Sequence, residues 1–218
     1  MLPQYINIHT HHAKAGDALE IQNVLSGFDK KLAVPCSMGL HPWYLDAATI
    51  DAEMQQLKKA SVNGNVYAIG ECGLDKVAET DWILQVQAFR EQVVIANELH
   101  KPLIIHCVRA YEEVLVLLKE LQVAVPVIFH GFNKGLELAA RITDLGYYLS
   151  FGQHLLKQES HAANTLRMIS SDHFFLETDD SETGIAAIYE KAAALRQIPL
   201  DTLILQLQKR FKAVFRYE

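Results

Sequence analysis

The chain has 218 residues, half of them hydrophobic, which is enough for a sizeable core and suits one α/β domain spanning residues 1–218. No run of about 18 apolar residues occurs, which excludes a transmembrane helix, and Met1-Leu2-Pro3-Gln4-Tyr5 has neither the basic start nor the apolar stretch of a secretory signal. A net charge of −6 argues against a generally basic nucleic-acid surface; three cysteines without CxxC spacing argue against a disulfide framework and point to a reducing cytoplasm.

Short apolar runs alternate with amphipathic stretches, the pattern of a parallel sheet with crossover helices. In chain order the expected strands are Tyr5–His9, Ala18–Val24, Ala33–Gly39, Asn65–Glu71, Pro102–His106, Val125–His130, Tyr147–Phe151 and Phe174–Glu177. Helical stripes follow in the second half: Val86, Phe89, Val93 and Ala96; Val114, Leu117, Leu118 and Leu121; Leu138, Ile142 and Leu145, with Gly146 as a stop; Ile185, Ile188, Ala192 and Leu195; Leu203, Leu207, Phe211 and Val214. Eight strands of this kind predict a (β/α)8 TIM-type barrel. Only about eight residues separate the first strand from the second and the second from the third, where a parallel crossover needs a dozen or more. The first two outer helices are therefore expected to be missing or shortened.

Ligand-type side chains fall at the strand ends, which surround the active-site mouth of such a barrel. His9-Thr10-His11 closes the first strand, and its two imidazoles share one side of an extended segment. His12 points the other way. Gly39-Leu40-His41-Pro42-Trp43 closes the third: His41 either donates to a substrate oxygen or builds a turn, and Trp43 either stacks on a base or packs at the mouth. Glu71, after Val66-Tyr67-Ala68-Ile69, is a carboxylate at a place where it needs a partner or a cation. Asp75 either supports a ligand or caps the next segment.

Pro102-Leu103-Ile104-Ile105-His106 and Pro126-Val127-Ile128-Phe129-His130 are parallel phrases, each an apolar strand ending in histidine. Arg109 either binds an anionic oxygen or pairs with Glu112 or Glu113. Phe174-Phe175-Leu176-Glu177-Thr178-Asp179-Asp180 ends the last strand, with Asp179 as metal ligand and general base. Glu177 and Asp180 are supporting candidates. His100 sits near a helix end, where its charge suits the dipole; His154, His161 and His173 read as surface, and Cys36, Cys72 and Cys107 as buried, inert thiols.

Together these phrases resemble the TatD family of metal-dependent hydrolases, a branch of the amidohydrolase-like barrels. The matching segments are His9-Thr10-His11, Gly39-Leu40-His41-Pro42, Gly70-Glu71-Cys72-Gly73-Leu74-Asp75, Lys101-Pro102-Leu103-Ile104-Ile105-His106, His130-Gly131-Phe132 and Leu176-Glu177-Thr178-Asp179, in family order. The resemblance implies two divalent metal ions (Zn, Mn, Mg, Fe or Co), one held by His9, His11, Glu71 and Asp179, the other by Glu71, His106 and His130. It also implies deoxyribonuclease activity, with single strands or ends of DNA as partner; the residues themselves offer Asp179, Glu71 and His41 as catalytic groups. The chain departs from the family at Asn7, where members carry aspartate, and at Arg109, one position later than usual after His106. The usual asparagine near the C-terminal helix is absent from Gln208-Lys209-Arg210-Phe211.

Three functions compete on these residues. Metal-assisted phosphodiester hydrolysis is the first, and two divalent ions would set about four positive charges in the cleft of an acidic protein. Hydrolysis of a small amide, lactone or ester keeps the site and changes the bond. A non-catalytic binding barrel is the third, and retention of all six ligand positions argues against it.

Overall fold

In the computed structural model the described residues are 4–12, 16, 18–28 and 33–217. The strands are β1 (Tyr5–Thr10), β2 (Ala18–Val24), β3 (Cys36–Met38), β4 (Val66–Asp75), β5 (Leu103–Val108), β6 (Val127–Phe129), β7 (Tyr148–Phe151) and β8 (Phe174–Leu176). They follow chain order in the sheet. The helices are α1 (Ile50–Ala60), α2 (Trp82–Leu99), α3 (Tyr111–Glu120), α4 (Leu136–Asp144), α5 (His161–Met168), α6 (Ile185–Arg196) and α7 (Leu200–Phe215). Between β1 and β3 no helix occurs among the described residues, as the short spacing predicts; positions 13–15, 17 and 29–32 lie outside them. No helix among the described residues is long and apolar enough to cross a membrane.

The chain divides into two compact units, one made of residues 1–22 and 128–218, the other of residues 23–127. In the first, β1 pairs in parallel with β2, and β7 with both β6 and β8. The last strand returns to the first: Thr178 and Asp179 donate their backbone N–H to His9 O at 3.3 and 3.1 Å, and His11 N donates to Asp179 O at 2.9 Å. Tyr189 of α6 fixes the start of β1 by accepting from Ile6 N and donating to Ile6 O. Leu203, Leu207, Phe211 and Val214 of α7 are buried, as their stripe predicts. Buried Arg210 between them donates to the carbonyls of Phe174, in β8, and Ser171, just before it.

In the second unit β4 lies between β3 and β5, parallel to both. Its approach to β5 depends on Gly73, whose φ is +146° and where a Cβ would lie 1.9 Å from His106 O. Gly39 plays the same part beyond β3: a Cβ there would fall 2.7 Å from Glu71 O. Helix α2 buries Phe89, Val93 and Ala96, and starts at Asp81, whose side chain accepts from Leu84 N at 3.0 Å.

Several boundaries differ from the sequence reading. Strand β4 runs on to Asp75 because its last residues continue the ladder with β5. Strands β3 and β6 are shorter than expected. Helix α1 was not anticipated, although Ile50, Met54 and Leu57 stand at helical spacing and are buried; α5 was also missed. In α4 the buried face is Ala139 and Ile142, and Leu145 is the exposed residue just past the helix end.

Candidate metal centre

Each unit gathers its own set of ligand-type side chains. In the first unit, donor atoms of His9, His130 and Asp179 all lie within 4.8 Å of one another. Alternation along β1 carries His9 inwards, where it is fully buried, and His11 follows one step beyond the strand. Asp179 Oδ1 is 3.6 Å from His9 Nε2 and 3.4 Å from His11 Nε2. The rings of His9 and His130 meet at 4.4 Å between centroids. Burial raises the Asp179 pKa, but hydrogen bonds from His11 and His9 and the charge of His130 outweigh it and hold the carboxyl well below the usual carboxylate range. Its φ of +56° is a left-handed conformation, which aspartate tolerates better than most side chains and which turns it towards the histidines.

Glu177 contributes more than its sequence position suggested. Fully buried, it accepts from Gly131 N at 2.6 Å through Oε1, which also lies 3.5 Å from His130 Nδ1. That approach puts a carboxylate behind the imidazole, an arrangement also found behind metal-binding histidines. Asn7 holds the frame: its Nδ2 donates to Thr178 Oγ1 at 2.8 Å and to Glu20 Oε1 at 3.1 Å, while its Oδ1 accepts from Thr178 N at 3.1 Å. An aspartate there could not donate, so the departure at Asn7 is matched by local chemistry.

In the second unit, donor atoms of His41, Glu71 and His106 lie within 4.8 Å of one another. Glu71 is buried, with Oε1 at 2.9 Å from His106 Nδ1 and 3.2 Å from His41 Nε2, and Oε2 accepting from Asn23 Nδ2 at 2.9 Å. Trp43 N donates to His41 Nδ1 at 3.1 Å, which makes that nitrogen the acceptor and leaves Nε2–H to face Glu71. Gln92 of α2 clamps the preceding residue, accepting from Leu40 N at 2.7 Å and donating to Leu40 O at 3.1 Å. Asp75 is both a turn former and a support: Oδ1 accepts from Val77 N at 2.8 Å, and Oδ2 lies 3.1 Å from His106 Nε2 and accepts from Trp43 Nε1 at 2.6 Å. Burial acts to raise its pKa, and the bonds from Trp43, His106 and Val77 bring it below the ordinary value. Helix capping falls to Asp81 instead.

These donors suit a divalent cation. They are borderline nitrogen and hard oxygen ligands, the combination that takes zinc, manganese, iron or cobalt. A neutral imidazole donates through one nitrogen only, yet both nitrogens of His106 face carboxylate oxygens, at 2.9 and 3.1 Å. A cation can take the place of the second proton in such a cluster.

The remaining candidates lie further out. Arg109 is exposed, and Glu113 pairs with Lys76 instead of with it. His12 is exposed and Asp180 likewise. His100 ends α2 in a left-handed conformation. His173 packs its ring on Tyr148 at 5.7 Å, so it is not a simple surface residue. His154 was read as surface and is half-buried, in a 3₁₀ turn after β7. Burial and then Lys157 push its pKa below the ordinary value, with Lys134 adding to them, while Asp179 and Glu177 act in the opposite sense. Two lysines therefore act electrostatically on the same ring as Asp179. The only signal in the sequence was position, just past a strand end.

The sequence model described as "TatD related DNase" matches residues 5–216. The chain is 28% identical over 197 residues, 83% of its length and 76% of the relative's, to the uncharacterized metal-dependent hydrolase YabD of Bacillus subtilis. The uncharacterized metal-dependent hydrolase YcfH of Escherichia coli is 30% identical over 147 residues, 66% of this chain and 54% of that protein. Among solved structures, the TatD homolog YjjV of Escherichia coli superposes over the whole of both chains with a TM-score of 0.85 and 21% identity. A TatD family hydrolase from Entamoeba histolytica also covers both chains fully, with a TM-score of 0.79 and 15% identity. The expected (β/α)8 fold class holds, with parallel strands in chain order and helices between them from β3 onwards.

Proposed function

Since the chain belongs to the TatD related DNase family of metal-dependent hydrolases, we propose that it hydrolyses phosphodiester bonds of DNA, in single strands or at ends. The observation that carries this reading is the pair of histidine–carboxylate sets, buried to half-buried, each with its donor atoms within 4.8 Å. The proposed ligands of two divalent ions are His9, His11, Glu71, His106, His130 and Asp179. When bound, such ions supply positive charge against phosphoryl oxygens and lower the pKa of a coordinated water from 15.7 towards about 7.

The chain's own residues do the rest. Asp179, held anionic by its histidines, accepts the proton of the attacking water. His41, with its one N–H at Nε2 directed at Glu71, keeps that carboxylate in place, and it can donate to a substrate oxygen only by turning that N–H away from Glu71. Glu177 and Asp75 fix the rings of His130 and His106. Lys134 and Lys157, whose charges act on His154 in the sense opposite to Asp179, are basic groups on this side of the protein that could attract a phosphate, in a protein of net charge −6.

The test is metal-reconstituted hydrolysis of end-labelled single-stranded DNA by the wild type, Glu71→Ala and Asp179→Ala, with folding of each checked by circular dichroism. Cleavage by the wild type and its loss in both variants support the reading. No cleavage despite bound metal moves the substrate to a small amide, lactone or ester. No bound metal at all favours the non-catalytic binding protein.

A further inference from the structure

Trp43 is pinned on one side and open on the other. Its Nε1 donates to Asp75 Oδ2 at 2.6 Å, and its ring meets those of His41 and His106 edge-on at 5.0 and 5.7 Å between centroids. Its side chain nevertheless remains 53% exposed. An indole tethered in this way presents a large, rigid apolar face without the entropy loss of ordering it when a ligand arrives. That face lines a cavity of about 300 Å³, shared with Asp75, Val77, Ala78 and Glu79. The volume is at the small end for ligand pockets and suits one planar ring system.

The lining also selects by charge. Two of its five residues are acidic and none is basic, so a phosphate is repelled and a neutral ring is admitted. Asp75 is already engaged by Val77, Trp43 and His106. Exposed Glu79 is the acidic group at the rim, and an acceptor-only carboxylate matches a ring that carries an amino donor.

We propose that this cavity is a subsite for one unpaired nucleobase stacked on Trp43, and that it favours bases bearing an exocyclic amino group over thymine. The proposal rests on the phosphodiester reading and adds where the base goes and which bases are preferred. An aromatic stack of this kind adds about ten- to hundredfold to binding.

The first experiment does not depend on cleavage. Trp82→Phe leaves Trp43 as the only tryptophan, and its emission is followed as adenosine, thymidine or ribose 5-phosphate is added to the metal-loaded protein. Saturable quenching by adenosine at lower concentration than by thymidine, with none by ribose 5-phosphate, is the expected result. Absence of saturable quenching by any nucleoside overturns the subsite. The second experiment compares hydrolysis of single strands that carry adenine, thymine or no base beside the scissile bond. Trp43→Ala is expected to bring the adenine-to-abasic ratio of kcat/KM about tenfold or more towards one. Trp43→Phe keeps a stacking face without the indole donor and is expected to preserve that ratio even where turnover falls. Glu79→Gln is expected to narrow the adenine-to-thymine ratio. Equal losses on all three substrates in Trp43→Ala would reduce Trp43 to a support for Asp75. If no DNA is cleaved but adenosine still quenches, the phosphodiester reading fails and the ring subsite stands.

Discussion

Asn7 and Thr178 hold each other in both directions, the amide donating to the hydroxyl at 2.8 Å and the Thr178 backbone donating back to the amide oxygen at 3.1 Å. The pair is buried and sets the distance between His9, two residues on from Asn7, and Asp179, one residue on from Thr178. Asn7→Asp keeps the acceptor and removes the donor, and it places a second carboxylate beside Glu20. The variant is expected to lose about 1–3 kcal/mol of stability, read as a lower urea midpoint at unchanged slope. Metal affinity, measured by isothermal titration, should fall by about tenfold or more.

Glu71 is faced by His41, His106 and Asn23 together. Glu71→Gln preserves its shape and removes its charge. Hydrolysis and metal binding should both drop by at least about a hundredfold while circular dichroism is unchanged; retained metal binding in this variant would remove Glu71 from the ligand set.

Glu177 acts through His130. Glu177→Gln can still accept from Gly131 N, so the fold should survive, but the imidazole loses its anionic support. Metal affinity is expected to fall by about 10–100-fold. An unchanged affinity would make Glu177 purely structural.

Lys134 and Lys157 act on the same imidazole as Asp179. Replacing both with alanine should raise KM for single-stranded DNA with little change in kcat, and should flatten the dependence of binding on salt. A fall in kcat alone would place them elsewhere in the reaction.

Cys36 gives a pH dependence away from the metal centre. Burial pushes its thiol up from 9.0 to about 11, against a smaller opposing effect of Lys101. The neutral thiol is thus favoured by folding. Its contribution is complete below the unfolded value near 9 and disappears as pH rises through about 11, by about 1.4 kcal/mol for each pH unit between. Urea midpoints between pH 8 and 11 should decline, and Cys36→Ala should weaken that decline. Ellman's reagent should leave the native thiol unmodified at pH 8 and modify it after unfolding.

Strands β1, β5 and β6 were legible because each is a largely apolar run that reaches or ends beside a histidine, His9, His106 and His130. Helix α5 was hard to read because its buried face is built from Ala162, Ala163, Thr165 and Leu166, which make only a weak apolar stripe. The second layer of the site was the least visible. Glu177 and Asp75 are ordinary acidic residues until backbone geometry brings Gly131, Val77, His130 and His106 to them. The role of Asn7 was hidden for the same reason: its partner lies 171 positions away.

That separation has a consequence for biosynthesis. The unit containing residues 23–127 is one continuous stretch, whereas the other needs both ends of the chain. At about 5–20 residues per second, a ribosome adds the 171 positions between Asn7 and Thr178 in roughly 9–34 s. Through that interval His9 and His11 are already made while Asp179 does not yet exist. On the proposed ligand set, the His9, His130 and Asp179 group of this unit cannot be complete before Asp179 is added, so premature termination before Asp179 yields a chain with the histidines and without their carboxylate.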